Sequence, residues 1–153
     1  MGKIRTQGTD LYVVDTATTA VKLACITSFS GLGGARDQID TTCFSSVEKE
    51  FEGGMATPGQ ITVGGNYDTA DAVFTQLLAL KDSGELTEWY LGGSDGTTAP
   101  TVAASVMTAP TGRTGITFQG YVADITWQMD ASSVWKYQLV IQRSGGWELI
   151  PAA

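Results

Sequence analysis

Apolar and polar residues alternate in short runs along most of the chain, and this period of two predicts β-strands. Gly residues and Gly pairs separate the runs, which is typical of an all-β protein. The predicted strands are residues 10–14, 20–26, 59–64, 87–91, 115–127 and 133–142.

The last two predicted strands differ in how their apolar residues are arranged. In residues 133–142 the apolar positions, predicted to form one buried face, are Trp135, Tyr137, Leu139 and Ile141. In residues 115–127 apolar side chains occur on both sides: Ile116, Phe118 and Val122 on one, Tyr121, Ile125 and Trp127 on the other. We therefore expect both faces of that strand to be covered.

One segment, residues 69–83, has helical spacing instead. Its apolar stripe consists of Val73, Phe74, Leu77, Leu78 and Leu80. Asp68 or Thr69 can cap the start, Asp71 suits the first turn, and Gly84 can end the helix. The predicted fold is therefore mainly β, an antiparallel β-sandwich or barrel with one flanking α-helix, in a single domain of residues 1–153.

Two connections are too long for a compact domain of this kind. They span residues 28–58 and 92–114, and the second is rich in Gly, Thr, Ala and Pro. Long connections usually belong to function or interaction. The strand pattern alone does not decide between function and interaction for these two connections.

Composition and motifs exclude several kinds of chemistry. With 153 residues and 42% hydrophobic residues the chain can bury a core, and no apolar run is long enough to span a membrane. No secretory leader is recognisable, so we expect a soluble protein that stays where it is made and keeps Cys25 and Cys43 reduced, although one disulfide is possible.

Histidine is absent, which removes the commonest general base and metal ligand. The Gly-rich segment 30–36 lacks the third glycine and the following helix of a dinucleotide loop. We therefore predict no catalytic residue, no cofactor and no metal site, and the chain is not expected to be an enzyme.

An acidic run and four tryptophans leave alternatives open. If extended, residues 48–52 place Glu48, Glu50 and Glu52 on one face, which suits a solvated or assembly surface better than a metal site. The tryptophans Trp89, Trp127, Trp135 and Trp147 could form a sugar-binding platform, but three lie in or beside predicted strands, where large aromatics usually fill a core. A carbohydrate-binding or adhesin-like β-sandwich remains the alternative function.

Net charge bears on nucleic acids. The chain has 9 basic and 16 acidic residues, a formal charge of −7. A surface of this sign repels phosphate backbones, so a protein that grips DNA is not expected.

The order of elements resembles a known family. A long loop leads into residues 53–68, a helix with Leu77, Leu78 and Leu80 follows, and then come a strand, the turn at 93–96 and residues 116–122 with Phe118-x-Gly120-Tyr-Val122. This pattern is similar to the tail tube protein, or major tail protein, of long-tailed, siphovirus-type bacteriophages.

The resemblance implies a structural protein of the virion. It implies hexameric rings that stack into a hollow tube, through which DNA is ejected without specific binding. It further implies tail-tip, tape-measure and tail-terminator proteins as partners, no membrane, and synthesis in the host bacterial cytoplasm.

The resemblance also implies that the loop at about residues 31–58 is an arm onto the adjacent ring. We expect this arm to be mobile in the free subunit, because fixing each residue costs roughly 1–2 kcal/mol of backbone entropy and the segment has few large apolar residues. Its predicted interface residues are Arg36, Ile39, Phe44, Val47, Glu48, Glu50, Phe51, Glu52 and Met55.

Overall fold

The structure is a computed structural model that describes residues 3–5, 7–16, 19–23, 26–69, 73–104 and 106–152. These residues form eleven strands and one helix. The elements are β1 (Asp10–Thr16), β2 (Thr19–Lys22), β3 (Ile26–Ser30), β4 (Arg36–Asp40), β5 (Phe51–Ala56), β6 (Gln60–Asn66), α1 (Val73–Ser83), β7 (Thr87–Gly92), β8 (Thr101–Ala103), β9 (Val106–Thr108), β10 (Gly115–Gln128) and β11 (Lys136–Ile150).

Seven strands form one antiparallel sheet in the order β2-β1-β7-β10-β11-β6-β3, and β4–β5 and β8–β9 are separate hairpins. The sheet curls over on itself. Leu11 of β1 and Ile61 of β6 lie in the same buried core although three strands separate β1 from β6. The rings of Phe29 in β3 and Phe118 in β10 are also 6.4 Å apart. The predicted mainly β, antiparallel fold with one helix is confirmed.

The helix packs onto the core enclosed by the curled sheet. Its buried side chains are Phe74, Leu77 and Leu80. Leu78, predicted to belong to the apolar stripe, is exposed. Gly84 ends the helix as predicted: its φ is +68°, and its N–H donates to the Leu80 carbonyl at 2.9 Å. Asp71, predicted to suit the first turn of the helix, lies outside the described residues. Among the described residues, no helix is long and apolar enough to cross a bilayer.

The segment predicted as one strand at 20–26 is two strands. β2 pairs with β1 at one edge of the sheet, whereas β3 pairs with β6 at the other edge. The chain thus passes from one edge to the opposite one within a few residues. An apolar run cannot reveal this crossing, because both strands present apolar residues to the same core.

The expectation that both faces of residues 115–127 are covered is wrong. Phe118 and Val122 point inward, but beyond them the next buried apolar residue is Ile125. The pairing of β10 with β11 shifts between Val122 and Asp124, and such a bulge moves the inward-facing positions by one residue. One face stays buried as far as Ile125, and Tyr121 lies on the other, exposed face. Trp127 shares the face of Ile125 and its ring is 4.9 Å from that of Phe74, but it is 41% exposed because it lies near the end of the strand.

Along β11 the predicted alternation is confirmed for Tyr137, Leu139 and Ile141, which are all buried. Trp135 is a correction, because it precedes the strand and its side chain is 55% exposed. The strand also runs on to Ile150, eight residues beyond the predicted end at 142. The extension pairs with the first half of β10.

Candidate assembly interface

The long connection after β3 is a β-hairpin rather than an irregular loop. We call residues 31–58 the arm. Its strands β4 and β5 pair antiparallel, with Ile39 opposite Glu52 and Asp40 opposite Phe51. Because opposed residues share a face and neighbours alternate, Ile39 and Phe51 lie on opposite faces of the hairpin. Both faces of the arm therefore carry an exposed apolar side chain.

Polar groups of the arm organise its tip. The Glu50 N–H donates to Thr42 Oγ1 at 2.8 Å, and the Thr41 N–H donates to the Glu50 carbonyl at 2.9 Å. Asp40 Oδ1 accepts from the Thr42 N–H at 2.9 Å. Hydrogen bonds from Thr42, with the larger effect from its side chain and the smaller from its backbone, lower the pKa of Asp40 below its ordinary value. These bonds form within the arm and need no second chain, while the expected mobility of the free arm stays a prediction.

The predicted apolar anchors of the arm are all exposed. They are Ile39, Phe44, Val47, Phe51 and Met55. Phe44 and Val47, at the tip, are fully exposed. Burying a large apolar side chain contributes about 1.5–3 kcal/mol. The arm therefore presents apolar surface that this chain leaves in water.

The predicted acidic face does not form. β5 begins at Phe51, so Glu48 and Glu50 lie in the tip and only Glu52 lies in a strand. Arg36 donates from Nη1 to the Gly54 carbonyl at 3.0 Å, which is a contact inside the arm. No group of three or more metal-ligating side chains comes together in the described part of the chain. Cys43 is an exposed free thiol at the arm tip, whereas Cys25 is outside the described residues.

Arg143 anchors the root of the arm to β11. Its side chain is buried, and Nη2 donates to the Gly33 carbonyl. Next to it, Gln142 Nε2 donates to the Pro58 carbonyl at 3.4 Å. The sequence reasoning missed Arg143, although it continues the odd-numbered buried positions of β11 beyond Ile141. A basic residue at a position where the alternation predicts a buried side chain could have indicated a buried hydrogen-bonding role.

A second buried arginine holds the connection between β7 and β10. Arg113 Nη2 lies 2.9 Å from Asp10 Oδ2, and its Nε and Nη1 donate to the carbonyls of Gly93 and Thr98, each at 2.9 Å. Nη1 also donates to Tyr12 Oη at 3.3 Å. Burial acts to lower the pKa of Arg113, but its hydrogen bonds and charge interactions with Tyr12 and Asp10 together outweigh burial and raise the pKa.

An aromatic cluster lies at the turn between β10 and β11. Tyr67 is central to it, with its ring 5.4 Å from Trp127 and 5.2 Å from Phe74. The Trp127 and Trp135 rings are 5.9 Å apart. Of the four tryptophans only Trp89 is fully buried, so the expectation that they fill the core holds for that one alone.

Comparison with known proteins connects this architecture to phage tails. The family described as phage tail tube, TTP, lambda-like matches residues 2–153. Structural protein 3 of Pseudomonas phage PAJU2 is 38% identical over 154 residues, which cover 97% of this chain and 94% of that protein.

Solved structures share the fold at low identity. The tail of an empty GTA particle, refined with C6 symmetry, superposes with a TM-score of 0.68 at 12% identity, covering 96% of this chain and 98% of that one. The SPP1 tail tube has a TM-score of 0.69 at 10% identity, covering 94% of this chain and 77% of that one. The chain belongs to the lambda-like phage tail tube family and is a tube-forming structural protein of a phage tail.

Proposed function

We propose that six copies of this chain close into a ring and that the rings stack into the tail tube. The C6 symmetry of the similar GTA tail supports the number of copies. The sheet supports the closure, because β2 and β3 are the two edges of the seven-stranded sheet and edge strands are where another chain can pair. A ring that joins the edge of one copy to the opposite edge of the next removes both edges.

In this proposal the arm is the stacking element. The main supporting observation is that Phe44 and Val47 are fully exposed at the tip of the β4–β5 hairpin. Folding of the chain gains nothing from these two side chains. Docking on an adjacent ring would bury them, at about 1.5–3 kcal/mol each, against the cost of fixing the arm.

The tube would pass DNA without binding it, in keeping with the formal charge of −7. Tail-tip, tape-measure and tail-terminator proteins would meet the two ends of the tube. The subunits would be made and assembled in the host bacterial cytoplasm. An enzymatic activity is not part of this proposal.

Shortening the arm tests the stacking role. Replacing residues 36–55 with a short turn leaves the core intact, because closure entropy changes little with loop length. We expect this variant to melt cooperatively but to form no tubes in negative-stain electron microscopy. A milder variant, Phe44→Ser with Val47→Ser, should assemble poorly, whereas Val106→Ser, an exposed apolar position outside the arm, should assemble normally. Tubes from the shortened variant as abundant as those of the parent would disprove the stacking role.

A further inference from the structure

The turn between β10 and β11 carries an apolar surface that no described part of the chain covers. We call Trp127, Met129, Val134 and Trp135 the aromatic patch. Each of these side chains is between 41% and 55% exposed. The rings beneath it are fixed, because Tyr67 packs on both tryptophans and on Phe74. The patch is therefore an apolar surface whose two indole rings are supported by packed aromatic rings.

The arm and the aromatic patch lie at opposite ends of the same strand. At the first residue of β6, Gln60 pairs with Gln142, next to Arg143 at the arm root. At the last residue of β6, Asn66 pairs with Lys136, which directly follows Trp135. The six residue steps from Gln60 to Asn66, at about 3.4 Å each, separate the two sites by roughly 20 Å. One end of the sheet thus carries the arm, and the other carries the patch.

Stacking of identical rings in one direction is head-to-tail, so a surface at one end must complement a different surface at the other end. On this basis we propose that the aromatic patch receives the arm tip of a chain in the adjacent ring, with Phe44 and Val47 against Trp127 and Trp135. This inference rests on the proposed function and adds the receiving site to it.

Charge fits the same pairing. The arm tip carries Glu48 and Glu50, and Lys136 is exposed beside the patch. Lys49 in the tip and Asp130 in the turn add one charge of each sign, because the hydrogen bond from the neutral Gln128 amide leaves Asp130 charged. The tip therefore keeps one net negative charge, and Lys136 is the basic group at this end of β11. Opposite charges at the margin of an apolar contact align the partners and disfavour other pairings. Position in the sheet and charge both favour a second copy of this chain as the occupant.

Cross-linking tests the contact directly, because Cys43 is an exposed thiol next to Phe44. In the Val134→Cys variant, a short bismaleimide should join Cys43 of one chain to the introduced thiol of a chain in the next ring. Repeated along the tube, this gives a ladder on denaturing gels that continues beyond six chains. Adding Cys43→Ser should abolish the ladder. Val106→Cys is the matched control, since Val106 is 57% exposed and Val134 55%, and it should give no ladder.

The result separates this inference from the function on which it rests. Tubes of the Val134→Cys variant that show no ladder, or one that stops at six chains because the contact lies within a ring, would overturn the receiving site while leaving the tube intact. Absence of tubes from the unaltered chain would instead refute the proposed function. As a second measurement, Trp135→Ala should raise the critical concentration for assembly about tenfold, the effect of losing 1.4 kcal/mol per contact, while Val106→Ala leaves it unchanged. An unchanged critical concentration for Trp135→Ala would also overturn the proposal.

Discussion

Gly31 lies where β3 passes into the arm, and its backbone has a φ of +92°. A Cβ at this position would lie 2.2 Å from the carbonyl oxygen of Gln60, the first residue of β6. Gly145 has a similar φ of +80°, but a Cβ there would meet nothing within 4 Å. Both positions would strain the backbone of any other residue, but only at Gly31 would a side chain also collide with a neighbouring strand.

Gly31→Ala should lower the melting temperature more than Gly145→Ala. Both variants incur the left-handed strain of an L-residue, about 1–2 kcal/mol. Only Gly31→Ala must also displace β6, and overpacking of this kind costs about 1–3 kcal/mol. For a chain of this size each kcal/mol lowers the melting temperature by roughly 2–4 °C. Thermal unfolding followed by circular dichroism measures the difference, and equal melting temperatures would show that the arm root yields without cost.

At the scale of elements, Arg113 keeps the long connection 92–114 against the sheet. Arg113 and Lys22 both pair with Asp10, at 2.9 Å and 3.9 Å, but Arg113 is buried and Lys22 is more than half exposed. Asp10 therefore takes part in one ion pair with a buried cation and one with an exposed cation, and the two can be compared directly. Arg113 also donates hydrogen bonds to the backbone carbonyls of Gly93 and Thr98, which lie in the connection and not in a strand.

Arg113→Met should destabilise the fold far more than Lys22→Met. Removing one partner of a buried pair costs about 3–5 kcal/mol, and we expect the lower end because Asp10 remains partly exposed. Loss of an exposed pair costs about 0–1 kcal/mol. Urea unfolding of the two variants gives both free energies. Similar values would mean that the connection is held by the β8–β9 hairpin and not by Arg113.

The β-rich pattern and the helix were predictable because they rest on local periodicity. The bulge after Val122 was not, because it depends on the partner strand. Its mark in the sequence is the switch of apolar residues from even positions to Ile125, which alternation alone cannot distinguish from a strand covered on both faces. The hairpin in the arm was also missed. Its polar, Gly-containing strands have no buried face to create a pattern, and the bonds around Thr42 and Glu50 supply the order instead.

The candidate interface was predictable only in part. Exposed anchors such as Phe44 stood out as large apolar residues in a polar segment. The exposure of Trp135 did not, because it continues the alternation of β11 by one residue although the strand begins at Lys136. Alternation alone cannot show where a buried face stops. The receiving site we propose therefore emerged from strand register, which places the arm and the aromatic patch at opposite ends of β6.

At the scale of the whole molecule, the positions of the basic residues strengthen the expectation from net charge that the protein does not bind nucleic acid. Of the nine basic residues, Arg113 and Arg143 are buried and cannot reach a phosphate. Lys22 and Lys81 are within ion-pair distance of Asp10 and Asp124. The remaining positive charge is spread over the chain from Lys3 to Lys136 and is outnumbered by acidic groups. This distribution disfavours binding to a nucleic acid backbone.

Assembled tubes should therefore show no measurable affinity for duplex DNA at physiological salt. Each phosphate contact made by a basic side chain would contribute a slope of about −0.9 to the dependence of log affinity on log salt. Mobility-shift assays with a short duplex, run from about 50 to 200 mM salt, compare free subunits with tubes. Free subunits serve as the control, because stacking could bring basic side chains of different copies together. Tight, salt-sensitive binding by tubes alone would show that assembly creates the basic surface that the single chain lacks.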